Sequence, residues 1–192
     1  MIGNLPQTND INSNTINNTS LKALAFTLPA GNNYSLDNAI LRLRAYETGD
    51  APLVQIRNDV GGSDPGSTVL ATFTNPTPQG LGTFNYTFTP TGPLTFTAGT
   101  KYWLYVTRTS GSFSWQASSP GITPTGIATL SGNRLSFNGG SSFNNSFLFN
   151  SFQINATEIT GPVASTPEPG AIAALSLFGL GLLGVKGRRN EG

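Results

Sequence analysis

An all-β fold, a single jelly-roll-like β-sandwich followed by a linker and one C-terminal hydrophobic helix, is what this 192-residue sequence predicts. Three observations predict it. Short runs with apolar residues at every second position recur from Leu21 to Asn155, the spacing of a strand with one face buried. Clusters of Gly, Pro, Asn and Ser punctuate those runs, residues that supply the backbone conformations of tight turns. Before residue 170 no stretch keeps a helical period with caps, which argues against helical and α/β folds.

In chain order, residues 1–19, which open with "MIGNLPQTNDINSNT", are Asn-rich and weakly apolar, and read as an N-terminal arm or edge strand. The sandwich is expected over residues 20–157. Leu24, Phe26 and Leu28 share one face of its first run; Ala39, Leu41, Leu43 and Ala45 alternate with Ile40, Arg42, Arg44 and Tyr46 in the next. The runs "PLVQIRN", "STVLATF", "TFNYTFT", "PLTFT", "TKYWLYVTR", "GSFSWQAS", "GIATLSG", "RLSFN" and "NSFLFNSFQIN" complete the set. Alternation nominates Leu24, Phe26, Leu41, Leu43, Val54, Ile56, Leu70, Phe84, Tyr86, Phe88, Tyr102, Leu104, Val106, Phe113, Trp115, Phe147, Phe149 and Ile154 for the core. Residues 158–169 read as a linker, 170–185 as a transmembrane helix and 186–192 as a basic cytoplasmic tail.

Composition excludes whole classes of chemistry. The chain has no Cys and no His, so thiolate nucleophiles, disulfides, imidazole bases and the usual zinc ligand sets are absent. Charged residues are 10% of the chain, and the three cations of the tail (Lys186, Arg188, Arg189) outnumber its two acids (Glu168, Glu191). The remainder holds equal numbers of cationic and acidic residues. A neutral body without a basic stripe gains little from counterion release, so nucleic acid is not expected as a partner.

Two places in the body could carry function. In "RNDVGGSDPGS", Asp59 and Asp64 flank a Gly-Gly and offer oxygens to calcium, whereas the Gly-Gly and Asp-Pro-Gly steps equally describe a plain hairpin loop, and the loop lacks EF-hand spacing. Elsewhere no cofactor is called for. The second place is aromatic: Trp103, Tyr105 and Trp115 could stack against sugars if outward, while core packing accounts for the same rings if inward. Alternation sends Trp103 and Tyr105 to the side opposite Tyr102. Glycoside hydrolysis needs two facing carboxylates; Asp37, Glu47, Asp50, Asp59, Asp64 and Glu158 fall mostly in turns, and no enzymatic activity is expected. Arg42 and Arg44 share a strand face that reads as solvated and balanced by Glu47.

The end of the chain, "TPEPGAIAALSLFGLGLLGVKGRRNEG", is of a different kind. Gly170–Val185 carries no charge, and an uncharged Ala-, Leu- and Gly-rich run without a polar face belongs in lipid. As a helix at ~1.5 Å per residue it reaches about 24 Å, which spans a bilayer with local thinning or snorkelling. Lys186, Arg188 and Arg189 then hold the C-terminus in the cytoplasm and leave the body on the opposite side. Pro167 keeps the approach extended, Glu168 suits the positive end of the helix, and Pro169 preorganises its start.

This order of Pro-Glu-Pro strip, apolar run and basic stop resembles the PEP-CTERM sorting signal of exopolysaccharide-producing bacteria. The resemblance implies that an exosortase recognises Pro167, Glu168 and Pro169 and processes the chain nearby. Such proteins also carry an N-terminal signal peptide, which the first fifteen residues do not resemble; a start placed downstream of the leader is the expectation. The stretches "LAFTLPAGNNYSLDNAILRLRAY", "NDVGGSDPGSTVLATF" and "LTFTAGTKYWLYV" are similar to choice-of-anchor domains of the R type, extracellular β-rich modules of bacterial surface proteins. Together these imply a cell-surface or extracellular-matrix protein, inserted in the membrane during export, with a structural or adhesive role. The alternatives are a carbohydrate-binding module acting on exopolysaccharide and, behind it, a glycosidase.

Overall fold

The computed structural model describes residues 1–160. Within them the chain is built from strands, with no helix. In order these are β1 (Ile2–Gly3), β2 (Asn12–Ile16), β3 (Leu21–Thr27), β4 (Asn33–Tyr46), β5 (Ala51–Asn58), β6 (Val69–Thr74), β7 (Gly80–Pro90), β8 (Thr95–Phe96), β9 (Lys101–Ser110), β10 (Phe113–Ala117), β11 (Thr125–Gly126), β12 (Thr129–Ser136), β13 (Asn144–Asn145) and β14 (Phe152–Ile159).

All pairings are antiparallel, and they join the strands into one curled sheet in the order β11-β1-β14-β4-β7-β6-β5-β9-β3-β12-β13. The curl is made at β6, which pairs with β5 through Val69–Thr72 and with β7 only through Phe73 and Thr74. One half of the sheet is therefore folded back over the other, as in a β-sandwich. Long β4 organises the first half: β14 and then β10 lie along one edge of it, β7 and β8 along the other. Its faces follow the alternation, with Ala39, Leu41 and Leu43 fully buried and Arg44 exposed.

The two halves meet in one apolar core. Leu24 and Phe26 of β3, Val54 and Ile56 of β5, and Leu104 and Val106 of β9 face Leu41, Leu43, Tyr86, Phe88, Phe152 and Ile154 from the other half. Phe96 packs edge-on against Phe26 at 5.5 Å and Tyr102 at 4.9 Å between ring centroids, a geometry aromatic rings favour.

Four of the proposed core positions lie elsewhere. Leu70 and Phe84 are 37% and 36% exposed, and Phe147 is 92% exposed; Phe149 is half-buried. Leu70 is the extra residue at the bulge where β6 pairs with β5, between Val69 and Ala71, and a bulge breaks the alternation of faces. Phe147 follows the last ladder residue of β13, where the chain leaves one layer for the other, so alternation no longer assigns faces there. Arg42 also departs from the solvated pairing with Glu47. Its Nε and Nη2 each donate to Asp10 at 2.6 Å, pinning the segment between β1 and β2 across the outer side of β4.

Residues 1–19 supply two strands. Ile2 and Gly3 lie between β14 and β11, with Ile2 fully buried, and β2 forms an edge beside β10. At the other end β14 runs to Ile159, two residues into the stretch read as linker.

Candidate functional site

The two regions nominated by the sequence come together. On β9 the side chains alternate: Tyr102, Leu104 and Val106 enter the main core, and Lys101, Trp103 and Tyr105 point to the outer side of the same layer. There Trp103 and Tyr105 join Leu21, Ala23 and Ala25 of β3 in a second apolar cluster, with Phe143 packed against it. Trp103 is 0% and Tyr105 5% exposed. The rings are thus outward from the core, as alternation requires, yet covered.

The Asp59–Asp64 loop covers them, together with β12 and the residues after it. The Trp103 indole N–H donates to the Asp59 carboxylate at 2.9 Å. Lys101 Nζ lies 2.9 Å from the same Asp59 oxygen and 4.8 Å from the Trp103 ring centre, and the Gly61 amide donates to the other oxygen at 2.8 Å. Burial works to raise the Asp59 pKa, but the bonds from Lys101, Trp103 and Gly61 outweigh it and hold the group below its ordinary value. Farther along the loop, Arg134 Nε donates to the Ser63 carbonyl at 2.6 Å and lies 3.5 Å from Asp64. The Arg57 guanidinium stacks on the Tyr105 ring at 3.4 Å, a cation–π contact.

Close backbone approach completes the cover. A Cβ at Gly132 would lie 3.1 Å from both Ala25 Cβ and the Trp103 ring, and one at Gly140 2.9 Å from the Tyr105 hydroxyl. Gly140 also has φ +92°, which side-chain-bearing residues rarely adopt.

This arrangement changes what each candidate can do. Asp59 and Asp64 each face a cation of their own, Lys101 and Arg134 respectively. Among the described residues no group of three or more acidic side chains converges. Trp115 is also fully buried, in the main core, where its indole donates to the Ser151 carbonyl at 2.9 Å. None of the three rings nominated for sugar stacking offers a face to solvent. The other acids are dispersed: Asp50 accepts the amides of Glu47 and Ser112, Asp37 accepts from Thr157, and Glu158 accepts from Asn32.

A shallow open depression of about 390 Å³ lies beside the cover, lined by Asn58, Asp59, Leu70, Thr100, Lys101 and Tyr102. The sequence signals Lys101's place here, since alternation puts it on the side of Trp103. Nothing local signals Arg134, which is 71 residues from Ser63 in the chain.

The sorting residues Pro167, Glu168 and Pro169, the 170–185 helix and the basic Lys186, Arg188 and Arg189 lie outside the described residues. Among the described residues no helix is long and apolar enough to cross a membrane. A PEP-CTERM protein-sorting motif matches residues 165–190, which takes in all of those positions. That motif supports sorting to the cell surface by an exosortase, with export and membrane association on the way. No curated protein and no solved structure matches the chain.

Proposed function

We propose that this chain is a non-enzymatic surface or extracellular-matrix module, structural or adhesive, delivered by an exosortase acting at Pro167-Glu168-Pro169. The sorting motif at 165–190 is the observation that carries the reading. In it, the 170–185 segment is the membrane-spanning sorting helix, Lys186, Arg188 and Arg189 are its cytoplasmic stop, and the body is a jelly-roll-like choice-of-anchor module needing no cofactor. The body's makeup supports this: Asp10, Asp37, Asp50, Asp59, Asp64 and Glu158 are engaged in separate structural contacts, and Trp103 and Trp115 are spent on packing.

Fractionation of cells expressing, behind a secretory leader, the full chain and a form ending at Thr160, with mass measurement of the mature C-terminus, tests it. The full chain is expected at the surface with its tail shortened near Pro169, and the truncated form is expected to lose that location. An intact tail on a cytoplasmic protein overturns the reading.

The depression beside Lys101 favours a second reading, a glycan-binding module acting on exopolysaccharide. Asn58, Asp59, Thr100 and Lys101 present polar groups around the apolar Leu70, a combination suited to a sugar ring. Retention on a polysaccharide array that is lost in Lys101→Ala supports it, and no retention rejects it.

A further inference from the structure

Lys22 lies in "LKALAF" in the same alternate set as Leu24 and Phe26, and β3 sends all three into the interior. It is 0% exposed. Its Nζ donates to Asn14 Oδ1 at 3.2 Å, to Ser146 Oγ at 2.8 Å and to the Leu148 carbonyl. Asn14 belongs to the edge strand β2, while residues 146–148 carry the chain from β13 in one layer toward β14 in the other. One amino group thus ties β2 and that crossing to β3, at the side of the sandwich where the crossing joins the layers.

The groups that face it are uncharged. β2 contributes Asn14, and β12 contributes Asn133, whose Nδ2 shares the Leu148 carbonyl at 3.0 Å. The crossing contributes Ser146 and Leu148, and β9 places Val106 opposite it. Arg108, two residues farther along β9, is the charged side chain on that face of the strand, and it would add repulsion rather than relief. The ion pairs among the described residues, Arg42–Asp10, Lys101–Asp59 and Arg134–Asp64, do not involve Lys22. A charge held in an apolar interior with dipoles alone around it is costly.

We propose that Lys22 is a pH-responsive latch on this side of the sandwich: the tie tightens as the solution becomes alkaline and loosens toward acid, freeing β2 and residues 146–150 while the rest of the fold persists. Burial pushes the Lys22 ammonium down to about 7 from its ordinary 10.5. An opened edge exposes the amine and restores the ordinary value. The open form therefore binds more protons than the closed form between those two limits, and closure gains with pH across that window. Below about pH 7 both forms are protonated, so the loosening is complete and does not grow further.

Hydrogen exchange of the full chain, corrected for intrinsic rates, tests the latch. The opening constant of amides in residues 12–16 and 146–150 is expected to fall about tenfold per pH unit from about pH 7 to 9, while amides of β4 and β14, which open only with the whole fold, keep smaller opening constants throughout. Lys22→Met should flatten the dependence. Direct titration of the Lys22 side-chain signal by NMR needs no variant and should give a midpoint near 7. A midpoint in the range of an exposed lysine overturns the proposal, as does the same slope in Lys22→Met or an opening constant indifferent to pH.

Discussion

Trp103 and Trp115 are both fully buried, and each indole donates one hydrogen bond of 2.9 Å. Their surroundings differ in kind. Trp115 lies between the two halves of the curled sheet and gives its proton to a backbone carbonyl of the segment entering β14. Trp103 lies on the far side of β9, beneath a loop and a hairpin held down by charge pairs. One is buried by architecture and the other by a cover. The difference teaches that burial alone does not rank a residue's contribution, because a cover that opens locally limits what the ring beneath it contributes to global stability.

Substitutions can break or sharpen this contrast. Trp115→Ala has the largest expected effect: a cavity in the main core that neither layer can close, costing about 3–5 kcal/mol, read as a lowered urea midpoint. Trp103→Ala should cost less, about 3 kcal/mol, because the loop can settle into the space. An equal or larger loss at Trp103 would erase the distinction. Asp59→Ala removes the acceptor of the indole and the partner of Lys101, at a cost of about 1–3 kcal/mol. In a Trp115→Phe background, Trp103 emission should shift to the red as the cover loosens. The same cover has a pH signature of its own. Since the Asp59 pKa is depressed on folding, its contribution is complete above the ordinary carboxylate range and is lost as pH falls below it.

Smaller effects are expected on the hairpin side. Gly132→Ala forces Ala25 or Trp103 to yield a few tenths of an ångström and should cost about 1 kcal/mol, visible as a lower thermal midpoint. Arg134→Gln should change stability by under about 1 kcal/mol. Its signature is salt: stability of the parent protein should fall toward that of the variant as ionic strength screens the Arg134–Asp64 pair.

Much of this body could be read from the chain alone, for reasons that are local. Strand periodicity is a property of neighbouring residues, so the all-β class and the opposite directions of Tyr102 and Trp103 come from alternation. The tail is more local still, since its meaning lies in the order of a Pro-Glu-Pro strip, an apolar run and a basic stop. The cover is not local: Asp59 reaches Trp103 across 44 residues and Arg134 reaches Ser63 across 71, and no window of sequence contains either pair. Phe147 misleads for the same reason, because its run has the pattern of a strand but spans the gap between layers. Lys22 shows a signal present and unread: a cation in the inward register of β3 announces a buried charge before any coordinates exist.

The last strand leads directly toward the sorting segment, and its neighbours give that junction a particular resilience. β14 is bonded along β4 from Phe152 to Ile159, with a bulge at Asn155/Ala156, while β1 and the residue after it back it from the other side only at Phe152–Ile154. Fraying or nicking that starts at the tail would strip the singly bonded Thr157–Ile159 rungs first and then stall where the strand is clasped on both flanks. Loss from that end thus shortens the strand without unseating it from the sheet.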